Sequence, residues 1–323
     1  MGKNNWSQLF FFFLNEFLLN SKMKCFTLCS LIAAVVAVVV HGQCVSETLI
    51  VRNSDDLTVV LKTAHAGMNI TLADGIYRGT FYMTSTGKKD CPISIYSQNP
   101  GKAVIVPYSG SCGFKLDDVS YIVIKDIEIH DGYYGLLVND CKNILLQNLN
   151  IHDVSEAGIF VSAASDSLIT NCTINNIGYG TVNAGYGLLL GHGYSAKSRN
   201  TVVSKCSFGD KIVNHAVAVE SSAEGCQIVG NVFNGKGCSY DSWIRNAGSN
   251  NTISENTFST YDGSKMSAGI IATGRGNLYK KNTFKLTTDI YGITNKGTNE
   301  VICASNSVAG GKGLTDGPID QSC

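Results

Sequence analysis

Between residues 211 and 275 the sequence concentrates side chains that could remove a proton and stabilise the resulting anion. Arg245 and Arg275 have guanidinium groups, which bind carboxylates through paired hydrogen bonds. Lys211 and His215 could serve as a general base. Elimination next to a carboxylate needs a cation beside that carboxylate, a base for the adjacent proton and an acid for the leaving group. We therefore predict that these four residues are catalytic.

The same part of the sequence offers oxygen ligands for a cation. Calcium binds carboxylate and amide oxygens, and we predict that Glu220, Asn246 and Asp241 could bind it. A single solvated carboxylate is the simpler interpretation of Glu220. The residues predicted to contact sugar rings are Phe160, His192 and Tyr240.

The elements that must position these side chains follow from an internal repeat. Each repeat has an apolar residue, two spacers, a ladder residue, one spacer and a second apolar residue. The ladder residues are Ile127, Leu149, Cys172, Cys206, Asn231, Asn256, Asn282 and Asn306. Short strands of period two, stacked into one continuous core, explain this pattern better than helices do. The chain is predicted to be an all-β, right-handed parallel β-helix of about eight coils, with a short N-terminal capping helix.

The four asparagines of the ladder are predicted to be structural. An Asn at the same inward turn of successive coils can bond the next Asn, ~4.8 Å away, and backbone groups that the turn leaves unpaired. Cys172 and Cys206 occupy this column in adjacent coils, so they are either stacked thiols or a disulfide.

A second motif, a glycine followed by apolar residues, marks another strand of each coil. Alternation along the strand directs Leu136 and Val138 inward and Asn139 outward. The outward column is then predicted to be Asn139, Ser162, Gly191, Glu220, Asn246 and Thr273. Arg245 falls in an inward column, where an unpaired guanidinium would be very costly. Either the register shifts at this strand or Arg245 has a partner.

The middle outward column of the same strands is unexpectedly apolar. It is predicted to contain Leu137, Phe160, Leu189, Ala218, Ile244 and Ile271. Phe160 could stack on a sugar, or the column could be covered by the insertion at residues 179–186 or by a partner chain. Covering is the simpler expectation.

Two further patterns contain acid–base residues. His130-Asp131 and His152-Asp153 recur one coil apart, and repetition at a turn favours turn chemistry over catalysis. Gly191-His192-Gly193 is a feature of polygalacturonases. However, Asp117-Asp118 would lie about three coils away, or ~14 Å at ~4.8 Å per coil. Hydrolytic carboxylates need ~5–9.5 Å, which excludes this interpretation.

The chain ends differ from the repeat. Lys22-Met23-Lys24, an apolar run to Val40 and small residues near Gly42 predict a signal peptide over residues 1–42, of which 1–22 could be a gene-model extension. The run is shorter than the ~20 residues of a membrane-spanning helix, so no membrane association is expected after cleavage. Residues 43–111 are predicted to form the N-terminal cap, with a helix over 55–66, and the first coil. Residues 112–309 form the coils and 310–323 the C-terminal cap.

Composition supports a secreted protein that does not bind nucleic acid. Removing residues 1–42 takes three basic and one acidic residue from totals of 25 each, which leaves 22 and 24 and no basic excess. Ten of the 12 cysteines remain, an even number that predicts disulfides in an oxidising compartment, with Cys303 and Cys323 as a candidate pair. Sequons for N-glycosylation occur at Asn69, Asn171 and Asn250.

The N-terminal part resembles polysaccharide lyases of the chondroitinase B and alginate lyase type. The matching residues are Leu57–Lys62, Ile70–Tyr77, Gly87–Ile95 and Asn99–Lys102, and the similarity covers roughly residues 49–130. The resemblance implies a β-helix with a substrate groove along the strands that begin with glycine, and a lysine base beside calcium-binding carboxylates. Here Ala247 stands at the position of the lysine, and Tyr240 and Ser242 stand at the carboxylates. Gly274-Arg275-Gly276 is a shifted match to the Arg-His-Gly of the next coil in that family.

Two hypotheses for the function remain at this stage. The first is a secreted enzyme, a lyase or a related uronan-modifying enzyme, that acts on an extracellular polysaccharide. The second is a non-catalytic β-helix that binds glycan or forms extracellular structure, which the replaced lysine favours. Convergence of the charged residues at 211–246 in space distinguishes the two.

Overall fold

Three parallel sheets run along the molecule, and each coil of the chain contributes one strand to each sheet. The computed structural model describes residues 44–178, 185–193, 197–235, 242–261 and 266–323. The predicted signal peptide lies outside this part of the chain. Residues 46–323 form one unit, to which the following description refers.

Sheet 1 begins each coil and sheet 2 follows it along the chain. The main strands of sheet 1 are Glu47–Val51, Met68–Leu72, Ile93–Ser97, Ser120–Lys125, Cys141–Gln147, Leu168–Thr170, Val202–Ser204, Gln227–Val229, Thr252–Ser254, Leu278–Lys280 and Val301–Ile302, with the short strands Ala164–Ser165, Ser198–Arg199 and Ala223–Glu224 beside them. The strands of sheet 2 are Gly75–Arg78, Ala103–Val106, Glu128–His130, Asn150–Val154, Thr173–Ile177, Ser207–Phe208, Val232–Asn234, Thr257–Ser259, Thr283–Leu286 and Ser307–Gly310.

Sheet 3 completes each coil and carries the candidate site. Its strands are Phe81–Met83, Cys112–Asp117, Tyr134–Asn139, Ala157–Val161, Tyr186–Leu190, His215–Val219, Ser242–Asn246, Ala268–Ala272, Tyr291–Asn295 and Gly313–Thr315. Ten strands correspond to about ten coils rather than eight. The two additional coils precede Ile127, where the ladder pattern does not yet apply.

The predicted ladder forms a continuous column in the core. All eight of its residues are buried. The side-chain oxygen of Asn256 accepts from the backbone N–H and the amide of Asn231 at 2.9 and 3.0 Å, and its amide donates to Asn282 Oδ1 at 3.0 Å. The chain of bonds continues from Asn282 to Asn306. The predicted structural role of these asparagines is confirmed.

Stacked aromatic rings lie beside the ladder. Phe208, Phe233, Phe258 and Phe284 occupy the apolar position two residues after the ladder residue, and neighbouring rings are nearly parallel with centroids 4.7–5.0 Å apart. Because the coils repeat at the spacing of strands in a sheet, identical residues in register stack face to face.

The core is closed by a helix at the N-terminal end and by a disulfide at the other. The helix spans Ser54–Thr63, close to the predicted range, and Asn53 caps it by accepting from the N–H of Asp56. Its buried residues are Leu57 and Leu61. In the described part of the chain no helix is long and apolar enough to cross a membrane.

The cysteines divide into bridged and free groups. Cys303 and Cys323 form the expected disulfide, and Cys44 and Cys91 are also disulfide-bonded. Cys172 and Cys206 are stacked thiols rather than a disulfide. Cys112, Cys141 and Cys226 are buried free thiols as well.

Candidate functional site

The outer face of sheet 3 presents side chains in columns that run along the helix axis. The central column is set by the strand register and consists of Lys115, Leu137, Phe160, Leu189, Ala218, Arg245, Ile271 and Thr294. Its neighbours along each strand are buried core residues, such as Phe114 and Leu116 on either side of Lys115. The central column is the floor of the candidate site.

Arg245 belongs to this outward column and not to the inward one predicted for it. The register pairs Arg245 with Ala218 and Ile271, one residue away from the predicted alignment. The shift arises at Trp243, which takes the inward position that glycine occupies in six other coils and packs its ring 6.0 Å from Phe233. Ile244 is therefore an inward residue, and its predicted outward position is wrong.

Asn246 also lies on the other side of the sheet from its predicted place. It is fully buried, and its amide donates to the hydroxyl of Tyr279 at 3.0 Å. Its side-chain oxygen accepts from the amide of Asn251 at 3.3 Å. Both the amide and the oxygen of this side chain therefore have hydrogen-bond partners in the core. The outward position predicted for Asn246 is wrong.

Arg245 also has a partner, which was the second of the two alternatives that the sequence left open. Its Nη2 donates to Oε1 of Glu220, which lies on the preceding coil. The side chains are 33 % and 19 % exposed, so the pair is sheltered but open to solvent. A guanidinium has five N–H donors, so Arg245 keeps donors for a second anion while it is paired.

The charges of this ion pair affect the pKa of Tyr186. Burial raises the pKa of Tyr186, the positive charge of Arg245 lowers it, and the negative charges of Glu220 and Glu156 raise it. The phenol is therefore protonated at neutral pH and sits beside a cation. These are the properties of a proton donor.

His215 follows Tyr186 in the same column of sheet 3. The two ring centroids are 6.2 Å apart. His215 is buried, and its Nδ1 lies 3.1 Å from the carbonyl oxygen and 3.2 Å from the hydroxyl of Ser242. Since a carbonyl oxygen only accepts, the Nδ1–H donates, and the neutral ring then has its lone pair on Nε2.

An aromatic strip crosses sheet 3 diagonally, from the start of one strand to a position just after the end of another. Tyr133 packs edge-on against Tyr134 at 4.7 Å, Tyr134 lies 4.9 Å from Phe160, and Phe160 lies 5.3 Å from His192. Burial, and the nearby Tyr133 and Glu156, raise the pKa of Tyr134 to about 12. Phe160 and His192, both predicted to contact sugar, are thus brought together.

Part of the central column is covered. Leu189, Ala218 and Ile271 are buried although they point outward, whereas Phe160 is half-buried. The side chain of Arg245 passes from its own coil to Glu220 on the coil of Ala218. These apolar residues of the column are therefore buried, whereas Phe160 remains accessible. Residues 179–184 of the insertion that was expected to cover the column lie outside the described residues.

The other predicted residues do not join this cluster. Arg275 pairs with Ser249 and Thr298 in the ladder that continues sheet 1, so it lies on another face. Lys211 is exposed in the loop before sheet 3, where its carbonyl oxygen accepts from the N–H of Ile177. Tyr240 and Asp241 lie outside the described residues.

The described donor set does not fit calcium. Asn246 faces the interior, and the carboxylate of Glu220 is paired with a guanidinium. In the described ranges no three His, Cys, Asp or Glu side chains form a possible metal site. The residues at Glu220 and Arg245 offer a fixed positive charge where calcium was predicted.

Tyr186 and Glu156 were missed from the sequence, whereas Tyr134 was expected in a loop that overhangs the groove. A signal existed, because tyrosine precedes glycine in Tyr134-Gly135, Tyr186-Gly187 and Tyr291-Gly292. The repeated position implies that these rings share a column. The stacked His130 and His152 rings, 5.3 Å apart with Asp131 and Asp153 on their Nδ1 atoms, confirm the predicted stacking on sheet 2.

Comparison with known proteins agrees with this architecture. A family model described as a right handed beta helix region matches residues 102–258. The sequence has no significant match among curated proteins.

Solved structures with a similar fold include several that are named as carbohydrate-active enzymes. An alginate lyase from Paenibacillus sp. str. FPU-7 is 21 % identical, with a TM-score of 0.79 over 84 % of this chain and 99 % of that one. A lacto-N-biosidase from Eubacterium ramulus is 14 % identical, with a TM-score of 0.66 over 83 % and 61 %. The pectate lyase Pel9A is 14 % identical, with a TM-score of 0.55 over 86 % and 82 %. At these identities the likeness shows the fold.

Proposed function

We propose that this right-handed parallel β-helix protein is a secreted polysaccharide lyase that cleaves a uronic-acid-containing glycan by β-elimination. The observation that carries the proposal is the Arg245–Glu220 ion pair, whose charges act on the phenol of Tyr186, the ring that lies next to His215. The named activities of the similar folds, alginate lyase and pectate lyase, support the substrate class.

Arg245 neutralises the uronate carboxylate. Removal of the proton at C5 places negative charge on that carboxylate, and a guanidinium donates two parallel hydrogen bonds to it. Glu220 orients the guanidinium from the adjacent coil. Arg245 thus supplies the fixed positive charge that the resemblance assigned to calcium.

His215 and Tyr186 transfer the protons. Nε2 of His215 takes the C5 proton, the electron pair forms the C4–C5 double bond, and the C4–O bond breaks. The leaving oxygen takes the phenolic proton of Tyr186, whose raised pKa keeps it protonated before the reaction. His215 is preferred to Lys211 as the base because its ring is beside Tyr186.

The aromatic strip binds the sugar units on one side of the cleaved bond. Tyr134, Phe160 and His192 present rings on three successive coils. Sugar rings stack on aromatic faces through their apolar C–H groups. The strip therefore offers stacking positions for sugar units on successive coils, and Phe160 is its member in the central column.

The proposal is tested by incubating the purified protein with pectate, alginate and glycosaminoglycans. Elimination gives an unsaturated uronate, which is followed by its ultraviolet absorbance. We expect a rise with one of these substrates, and a loss of about 100-fold or more in kcat/KM for Arg245→Met and for Tyr186→Phe. Lys211→Met is the matched control and should retain activity.

A non-catalytic, glycan-binding β-helix is the second candidate. Ala247 at the position of the family's lysine, and the burial of His215, favour it. It predicts no absorbance change with any of the polymers, together with binding of a uronic-acid polymer that weakens in Phe160→Ala.

A further inference from the structure

A second cation lies in the central column, five coils before Arg245. The register links Lys115 to Leu137, Phe160, Leu189, Ala218 and then Arg245. None of the four residues between the two cations is charged. At ~4.8 Å per coil the separation is roughly 24 Å. Two positive charges therefore lie at the ends of an uncharged column, in which Leu137 and Phe160 are half-buried and Leu189 and Ala218 are buried.

Lys115 is held in place by two neighbours. Its Nζ lies 5.9 Å from the centre of the Tyr82 ring and 3.6 Å from Oδ2 of Asp117. Oδ1 of Asp117 also accepts from the amide of Asn139 at 2.7 Å. These contacts hold the ammonium at the floor of the column, where its side chain is 33 % exposed.

Tyr82 adds an exposed ring to this lysine. It pairs with Lys115 in the register of sheet 3 and is 55 % exposed, in contrast to the buried Phe81 and Met83 on either side of it. A tyrosine face stacks on a sugar, and an ammonium with three N–H donors binds a carboxylate while one donor faces Asp117. The pair has the chemistry to recognise one uronate unit.

We propose that Tyr82 and Lys115 form a distal subsite for a uronate unit of the polysaccharide whose cleaved unit is bound by Arg245. The inference rests on the proposed function and adds the direction and length of the bound chain. The polymer lies along sheet 3 and spans about five coils. A short oligosaccharide at Arg245 does not reach Lys115, so the subsite discriminates polymer from oligosaccharide.

The test compares Lys115→Met with Lys125→Met. Lys125 is a matched control, because its Nζ lies 5.0 Å from the centre of the Tyr96 ring on the outer face of sheet 1. Initial rates are measured with the long polymer that proves to be a substrate and with its trisaccharide. Affinity for the same polymer is measured by titration calorimetry. Tyr82→Ala serves as a second variant of the subsite.

We expect Lys115→Met to raise KM for the polymer about fivefold, with kcat and the trisaccharide kinetics unchanged. Lys125→Met should leave all constants unchanged. An unchanged polymer KM, or an equal change with polymer and trisaccharide, overturns the subsite.

Titration calorimetry tests binding at the subsite independently of whether the polymer is cleaved. If the protein binds the polymer but does not cleave it, the elimination is wrong, and a weaker affinity of Lys115→Met still supports the subsite. If Lys115→Met binds the polymer as tightly as the original chain does, the subsite is wrong whether or not cleavage occurs.

Discussion

Arg245 reaches from its own coil to the preceding one, where its guanidinium donates to the carboxylate of Glu220. The contact crosses one strand spacing of sheet 3 and passes over Ala218. It joins neighbouring coils through charged side chains on the outer face, whereas the asparagine ladder joins them through amides in the core. The same contact fixes the orientation of the group that we propose binds the substrate carboxylate.

The pair should contribute to stability as well as to binding. In a double-mutant cycle of Arg245→Met and Glu220→Gln, we expect a coupling of about 1 kcal/mol in the free energy of unfolding, because the pair is sheltered. Chemical denaturation of the four proteins measures it. The more exposed pair Lys281–Glu255, at 4.0 Å, is the control and should couple by a few tenths of a kcal/mol at most. Equal coupling free energies of the two pairs would show that partial burial does not strengthen the Arg245–Glu220 interaction.

The pH profile should report the phenol of Tyr186. Its pKa is raised above the ordinary 10.0, chiefly by burial. A proton donor of this kind is active in its protonated form, so kcat should not decline on the alkaline side until the pH exceeds about 10. Initial rates at saturating substrate measure the profile. A decline that sets in between pH 7 and 9 would assign the proton donor to another group.

Chelators should not affect the reaction. A guanidinium is permanently charged, and the described residues offer no set of oxygen ligands around it. We expect equal kcat/KM in excess EDTA and in added calcium. Dialysis against EDTA before the assay, with readdition of calcium, is the control. A loss that calcium restores would identify a site that includes residues outside the described ranges, such as Asp241.

The asparagine ladder should be costly to interrupt. Asn256 forms bonds to the chain at Asn231, Ile228 and Asn282, all in the core. Asn256→Ala leaves buried backbone groups of adjacent coils without partners, and we expect a loss of about 2–4 kcal/mol in the free energy of unfolding. Asn234→Ala, at an exposed position three residues after the ladder residue Asn231 of the preceding coil, should change it by about 0.5 kcal/mol or less. Denaturant titration distinguishes the two.

Glu300 should make stability depend on pH in the direction opposite to most carboxylates. Burial raises its pKa above the ordinary 4.5, although hydrogen bonds from Asn277 and Tyr279 act in the other direction. The folded state therefore binds the proton more tightly than the unfolded state does. The contribution of Glu300 is complete below pH 4.5 and is lost as the pH rises through the raised pKa.

The variant Glu300→Gln isolates this effect. Its free energy of unfolding, relative to that of the original chain, should increase between acidic and neutral pH. Melting temperatures measured across that interval test it, with the exposed Glu255→Gln as the control. A difference that stays constant with pH would show that the pKa of Glu300 is the same in the folded and unfolded states.

The sequence alone determined the solenoid and its core. The ladder residues, the stacked phenylalanines and the capping helix follow from patterns within one coil that repeat along the chain. Each coil can bury its apolar face only against a copy of itself, so a repeated local pattern is sufficient to specify the stacking. The first coils were not counted because their strands lack the ladder residue.

Only the tertiary structure decided which side chains face the groove. A shift of one residue in register reverses every side chain of a strand, and at residues 242–246 the glycine that marks the register is replaced by Trp243. Arg245 therefore lies outside and Asn246 inside, the reverse of the prediction. Tyr186, His215, Glu220 and Arg245 come from three coils and are separated by up to 59 positions in the sequence. The Arg245–Glu220 and Tyr186–His215 contacts depend on how the coils stack, which no local pattern specifies.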